Sequence, residues 1–240
     1  MSKIINGSSL RPLSGGQPKQ IVLMLHGYGS NGADLISLAP HWQHALPDAL
    51  FLAPNAPQRF SAGRGFQWWP LSALSPVALA AGAAAAAPAL DAFIDRKLDQ
   101  YGLSEANLAI VGFSQGTMMA LHIGLRRKGQ VAGIVGYSGM LTDAADLSHR
   151  GITKPPVLLI HGADDPYRPR SVAKYCKARA RASRHNGDLA YLQWIGTQHR
   201  PRRFAARWRV YSGGAGIERR FTRTAPAGVN ISFKSEIPYL

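Results

Sequence analysis

Cysteine is almost missing from this sequence. A single Cys176 in 240 residues excludes an internal disulfide and suits a reducing compartment. Long apolar runs are missing too. The first 19 residues, "MSKIINGSSLRPLSGGQPK", carry no apolar stretch behind their charges, so no signal peptide is expected. The most lipid-like run, "VALAAGAAAAAPAL" at 77–90, contains Pro88 and falls short of the roughly 20 residues a bilayer span needs. The expectation is a cytoplasmic protein with no transmembrane segment. Acidic residues are scarce as well, 13 against 28 Lys and Arg, but the scarcity is local. Residues 1–165 hold 12 basic and 10 acidic side chains, whereas residues 166–240 hold 16 and 3. The basicity therefore belongs to the last 75 residues and needs its own explanation.

What is present suits one α/β domain. Apolar residues make up 46% of the chain, too many for a disordered polymer, and the length allows a substantial core. "IVLMLHGYG" at 21–29 and "ALFLAPNAP" at 49–57 are apolar runs stopped by glycine or proline, the pattern of strands buried on both faces. "NLAIVGF" at 107–113, "VAGIVGYSG" at 131–139 and "PVLLIHG" at 156–162 repeat it. Between them, residues 77–101 read as a helix broken or entered at Pro88, and 116–128 as a helix with a basic last turn. Alternating strands and helices predict a mostly parallel sheet with helices on both faces.

Three stretches on this scaffold carry chemistry. Gly112-Phe113-Ser114-Gln115-Gly116 matches G-x-S-x-G between a predicted strand and a predicted helix. A sharp turn there exposes the serine hydroxyl, and the helix start behind it offers free N–H groups to a developing oxyanion. The plain alternative is a serine that merely caps the helix. "LHGYGSNGADL" at 25–35 is a glycine-rich loop after a buried strand; it points to the Tyr28 N–H, together with that of Gln115, as the oxyanion donors. His26, His161 and His122 read as structural residues. "IHGADDP" at 160–166 places a carboxylate just past a strand, and Asp165 is preferred to Asp164 because it precedes Pro166 directly. Serine before aspartate before histidine is the chain order of the α/β-hydrolase fold.

The stretches "LHGYGSNGADL", "APNAPQ", "QWWPL", "GFSQGTMMAL", "GYSGML" and "LLIHGADDP", in that order over about residues 20–166, resemble the bacterial carboxylesterases related to acyl-protein thioesterases and lysophospholipases. The resemblance implies an α/β-hydrolase fold and a serine esterase or thioesterase. It implies a small acyl ester or thioester as substrate, with no cofactor and no metal. Ser114 would be the nucleophile, Asp165 the acid, and Tyr28 and Gln115 the oxyanion donors. Trp68 and Trp69 would wall the acyl pocket, although loop tryptophans packed on the core are an equal reading.

Past Pro166 the resemblance stops, at the place where the charge balance breaks. The chain is expected to divide into a hydrolase core, 1–166, and an atypical basic segment, 167–240, that replaces the last helix, strand, histidine loop and helix of the same domain. His199, 34 residues after Asp165 and behind the strand-like "LAYLQWI" at 189–195, is the best available base; His185 lies too close to Asp165. "SVAKYCKARARA" at 171–182 retains helix formers. Back-translation offers a second account. Read one base later from the Tyr167 codon, Pro166–Ser171 can encode Ile-Val-Pro-Val after the proline. The same offset lets Trp194–His199 encode Gly-Leu-Gly-His-Ser-Ile, with the histidine codon straddling those of Thr197 and Gln198. The segment then reads as a frame-slipped copy of an ordinary ending, leaving a chain without its base. A basic arm for nucleic acid or anionic membrane, with Trp194, Trp208 and Tyr211 among its cations, is the remaining alternative, but no recognised nucleic-acid module is present and nucleic acid is not expected as a partner.

Overall fold

The computed structural model describes residues 5–143 and 152–160 in full, together with the backbone of 161–162, 189–194, 208–212 and 215–219. In chain order the elements are β1 (Gly7–Leu10), β2 (Gln20–Leu25), α1 (Gly32–Ile36), α2 (Pro40–Gln43), β3 (Ala49–Pro54), β4 (Gln58–Arg59), β5 (Phe66–Gln67) and α3 (Pro76–Tyr101). They continue with β6 (Leu108–Phe113), α4 (Gln115–Gly124), β7 (Gly133–Tyr137), β8 (Val157–Gly162), β9 (Leu189–Trp194), β10 (Trp208–Ser212) and β11 (Ala215–Arg219). Nine strands form one sheet in the order β1-β3-β2-β6-β7-β8-β9-β10-β11. The block β3-β2-β6-β7-β8-β9 is parallel throughout. β1 and the β10–β11 pair add antiparallel edges. This is the mostly parallel α/β-hydrolase sheet predicted from the sequence.

The unbroken apolar runs follow from burial on two faces. In β2, Ile21, Leu23 and Leu25 enter one core cluster, while Val22 and Met24 enter another. β3 does the same with Leu50 and Leu52 against Ala49, Phe51 and Ala53. Successive side chains of a strand point to opposite faces, so a strand covered on both sides has no polar alternation to show. The first cluster takes in α3 and α4 residues, and the second packs with Leu35, Ile36 and Trp42 from the α1–α2 segment.

α3 departs from expectation at Pro88, through which it runs without a break. Proline removes the N–H that would bond the carbonyl of Ala84. Both residues lie on the exposed face, where water can serve that carbonyl, while Leu79, Ala83, Ala86, Leu90, Phe93, Ile94 and Leu98 bury a continuous stripe. By length and composition α3 could cross a membrane, yet that stripe belongs to the main core. α4 ends at Gly124, earlier than its basic residues suggest. Arg126 still serves the helix end by donating from Nη1 to the carbonyl of His122 at 3.0 Å. Arg127 turns instead into a cluster with Asp91 and Asp95 of α3 and with Glu105. The expected helix over 171–182 lies outside the described residues.

Candidate active site

The serine elbow joins β6 to α4. Ser114 has φ 52° and ψ −113°, a left-handed conformation that L-residues other than glycine adopt at a cost. Helix-capping residues elsewhere in this chain look different: Asn31 and Ser75 are extended and accept from N–H groups three residues on. Ser114 makes no such bond. Its side chain is therefore not spent on capping α4, which removes the plain alternative for this serine. Its backbone N–H donates to the carbonyl of Tyr137 at 2.8 Å, which pins the turn to the end of β7.

The flanking glycines are required by close approach. A Cβ on Gly112 would lie 2.5 Å from the carbonyl oxygen of Gly116, and one on Gly116 would lie 2.0 Å from that of Leu25. α4 thus sits directly over the ends of β6 and β2. Thr117 holds the underside, its hydroxyl 2.7 Å from the carbonyl of Gly112 and 2.8 Å from that of Tyr137.

The glycine loop after β2 meets the elbow at Gly27, where an added Cβ would sit 3.4 Å from the Cβ of Ser114. Tyr28 follows, half-exposed, with its ring edge-on to Phe60 at 4.9 Å. Among the described residues, no backbone carbonyl accepts from the amide of Tyr28 or of Gln115. The loop is held by Ser30 N–H donating to Gly27 O (3.2 Å) and Gly29 N–H donating to Phe66 O (2.9 Å). A polar cleft of about 430 Å³, lined by Asn6, Ser8, Asn31, Asn55, Arg64 and Phe66 among others, opens beside it; Ser114 does not line this cleft.

His26 is fully buried, as a structural histidine should be. Its Nδ1–H donates to Gly27 O at 2.7 Å, and its Nε2 accepts from Ala56 N–H at 2.9 Å. A carbonyl on one side and an N–H on the other fix the neutral Nδ1–H tautomer. Burial holds its pKa below the ordinary imidazole range, against the opposing pull of the Gly27 carbonyl and of Asp34. Trp68 and Trp69 are both core residues, at 0% and 4% exposure. Trp68 donates its indole N–H to His26 O at 2.9 Å, and the Trp69 ring lies so close to α3 that a Cβ on Gly82 would touch it. The side chain of Gln115, also fully buried, was not anticipated from the sequence. Its Oε1 accepts from Trp68 N–H (3.0 Å) and its Nε2 donates to Trp69 O (2.8 Å).

Asp165, its alternative Asp164 and His199 lie outside the described residues. The strands before them are described, and their register is regular. Phe113, Tyr137, Ile160 and Leu192 stand in one row across β6, β7, β8 and β9. All four strands run the same way, so the chain leaves β8 and β9 at the sheet edge where the serine elbow stands. In sequence, Asp165 comes three residues after β8 and His199 five residues after β9. His122 is buried within α4, away from this edge. Among the described residues no group of His, Cys, Asp and Glu could hold a metal ion.

Comparison with known proteins agrees with this fold. The family model described as phospholipase/carboxylesterase matches residues 13–203, a span that passes Pro166 and includes His199. An esterase of Escherichia coli, YpfH, is 25% identical over 148 residues, covering 62% of this chain and 62% of its own length. Acyl-protein thioesterase 1 of Kluyveromyces lactis is 26% identical over 209 residues, covering 80% of this chain and 90% of its own. Among solved structures, the esterase PE8 superposes with a TM-score of 0.72 at 37% identity, over 82% of this chain and 90% of that one. The chain belongs to the phospholipase/carboxylesterase family of α/β-hydrolases, a family of carboxylic ester hydrolases.

Proposed function

We propose that the chain cleaves carboxylic esters or thioesters through an acyl-enzyme on Ser114. The observation that carries this reading is the elbow: a serine in a strained left-handed turn, closed by two glycines without room for a Cβ, whose side chain does not cap its helix. In the proposed cycle Ser114 Oγ attacks the acyl carbonyl carbon while His199 takes the hydroxyl proton. Asp165 orients that histidine and stabilises its cation. The N–H groups of Tyr28 and Gln115 receive the oxyanion. The tetrahedral intermediate then collapses, and the histidine returns the proton to the departing alcohol or thiol. Water, deprotonated by the same histidine, attacks the acyl-enzyme and frees the acid together with Ser114. The likeness to a carboxylesterase family and to an acyl-protein thioesterase supports both oxygen esters and thioesters as substrates.

The second reading is a member of the family without its base, favoured by the charge break after residue 165. Hydrolysis of p-nitrophenyl butyrate by the wild type, Ser114→Ala and His199→Ala separates the two. The first reading expects turnover that falls by several orders of magnitude in both variants. Full activity in His199→Ala removes His199 from the mechanism, and equal inactivity of all three leaves the baseless reading standing.

A further inference from the structure

The two amides proposed as oxyanion donors sit on different elements, 87 positions apart in the chain. Their spacing has to be set by something that touches both. Local bonds hold each separately: Tyr28 lies in the turn closed by Gly27 and Ser30, and Gln115 opens α4. Besides the β2–β6 pairing and the approach of Gly27 to Ser114, one short segment, Gly65–Trp69, reaches both. At its first end, Phe66 accepts from Gly29 N–H at 2.9 Å and donates to Ser30 O at 2.7 Å, a two-bond ladder on the residues after Tyr28. Gly65 is glycine because a Cβ there would lie 1.9 Å from Gly29 O. At its other end, the backbone N–H of Trp68 and the carbonyl of Trp69 bond both polar atoms of the Gln115 amide. In the middle, the Trp68 indole bonds His26 O, and the His26 ring bonds Gly27 O.

We propose that the Gly65–Trp69 segment is a brace that sets the distance between the two oxyanion amides, with the Gln115 side chain as its positioning residue; this rests on the proposed Ser114 chemistry. The side chains of Gln115, Trp68 and His26 are wholly buried, so water does not compete for these bonds. Each polar atom of the Gln115 amide has a protein partner, and together they clamp the first residue of α4 to the brace. A buried amide needs its polar atoms paired, and here both partners belong to the brace. Preorganised donors act because they need no rearrangement as charge develops, so loosening their spacing weakens the transition state more than the ground state.

The test pairs two readouts on the full chain: hydrogen exchange over residues 27–31, and kcat and KM for p-nitrophenyl butyrate. Gln115→Met removes both amide bonds at similar volume, Trp68→Phe removes only the indole bond, and Gln115→Glu keeps the acceptor for Trp68 N–H. Exchange in 27–31 is expected to quicken at least about tenfold in Gln115→Met and less in Gln115→Glu, although the substitution lies far away in sequence. kcat is expected to fall roughly 10- to 100-fold with KM within about twofold, and Gln115→Glu to recover part of the loss. Exchange unchanged in both Gln115→Met and Trp68→Phe overturns the brace. Faster exchange with kcat intact overturns its part in catalysis. A wild type that hydrolyses no ester sinks the proposed function, while the exchange comparison still decides the brace.

Discussion

At Ser114 the backbone conformation and the proposed chemistry depend on the same turn. A φ of 52° turns the chain sharply between β6 and α4, and a residue with a Cβ holds that angle only under strain of about 1–3 kcal/mol. Two substitutions that both delete the hydroxyl can measure the strain. Ser114→Gly relieves it and Ser114→Ala keeps it, while glycine loses some of the advantage through a freer unfolded chain. Ser114→Gly is therefore expected to be the more stable by about 1 kcal/mol in urea unfolding. An alanine variant at least as stable as the glycine one would show that the elbow is relaxed. The G-x-S-x-G spacing makes this residue legible in the sequence, because the glycines mark where α4 must pass close to two strands. The partners of His26 were not legible. Ala56 and Trp68 stand 30 and 42 positions away, and no local pattern tells which carbonyl an indole will find. The same holds for the Gln115 side chain, whose residue was chosen for its backbone N–H alone.

Among the elements, the parallel strands β2, β3, β6, β7, β8 and β9 were readable because a sheet buried on both faces leaves an apolar run. β1 was not, since a short edge strand paired on one side needs no such run; "GSSL" shows only half-buried and exposed positions. Nor was the continuity of α3 through Pro88 readable, because it depends on which face the proline takes. The link between α3 and α4 was also hidden. What looked like a helix dipole partner, Arg127, is a buried guanidinium that meets three carboxylates from α3 and the turn before β6. Arg127→Ala leaves those carboxylates without their cation and removes the packed stem between the helices. A loss of roughly 3 kcal/mol in urea unfolding is expected. Asp91→Asn and Asp95→Asn should each cost under about 1 kcal/mol, because both carboxylates are more than 40% exposed and solvent screens their share. If the single aspartate variants lose as much as Arg127→Ala, the cluster is a set of tight pairs and not one cation serving a group.

For the whole molecule the question is why a hydrolase sheet should end in a segment of 16 basic and 3 acidic residues. A functional arm for polyanions has no need to begin inside the span, residues 13–203, that the family model matches. A slipped reading frame would change the composition abruptly at one point, since every codon downstream of the slip is read out of register. The backbone of β9 in parallel register with β8 is compatible with either account, because strand formation asks for apolar letters and "LAYLQW" supplies them. The histidine distinguishes them. If the frame as written is the native one, the proposed base is His199, and His199→Ala should destroy turnover. In the shifted frame the base is encoded across the codons of Thr197 and Gln198, and the written chain lacks it. The decisive measurement starts from the gene: codons 167–199 should contain a frame, displaced by one base, that reads Ile-Val-Pro-Val and then Gly-Leu-Gly-His. The protein made from that frame should lose most of the positive charge after residue 166 and hydrolyse p-nitrophenyl butyrate faster than the written chain by up to roughly six orders of magnitude. If no displaced frame carries both stretches, or if the written chain already turns over ester with His199 required, the slip is wrong and the basic segment belongs to the enzyme.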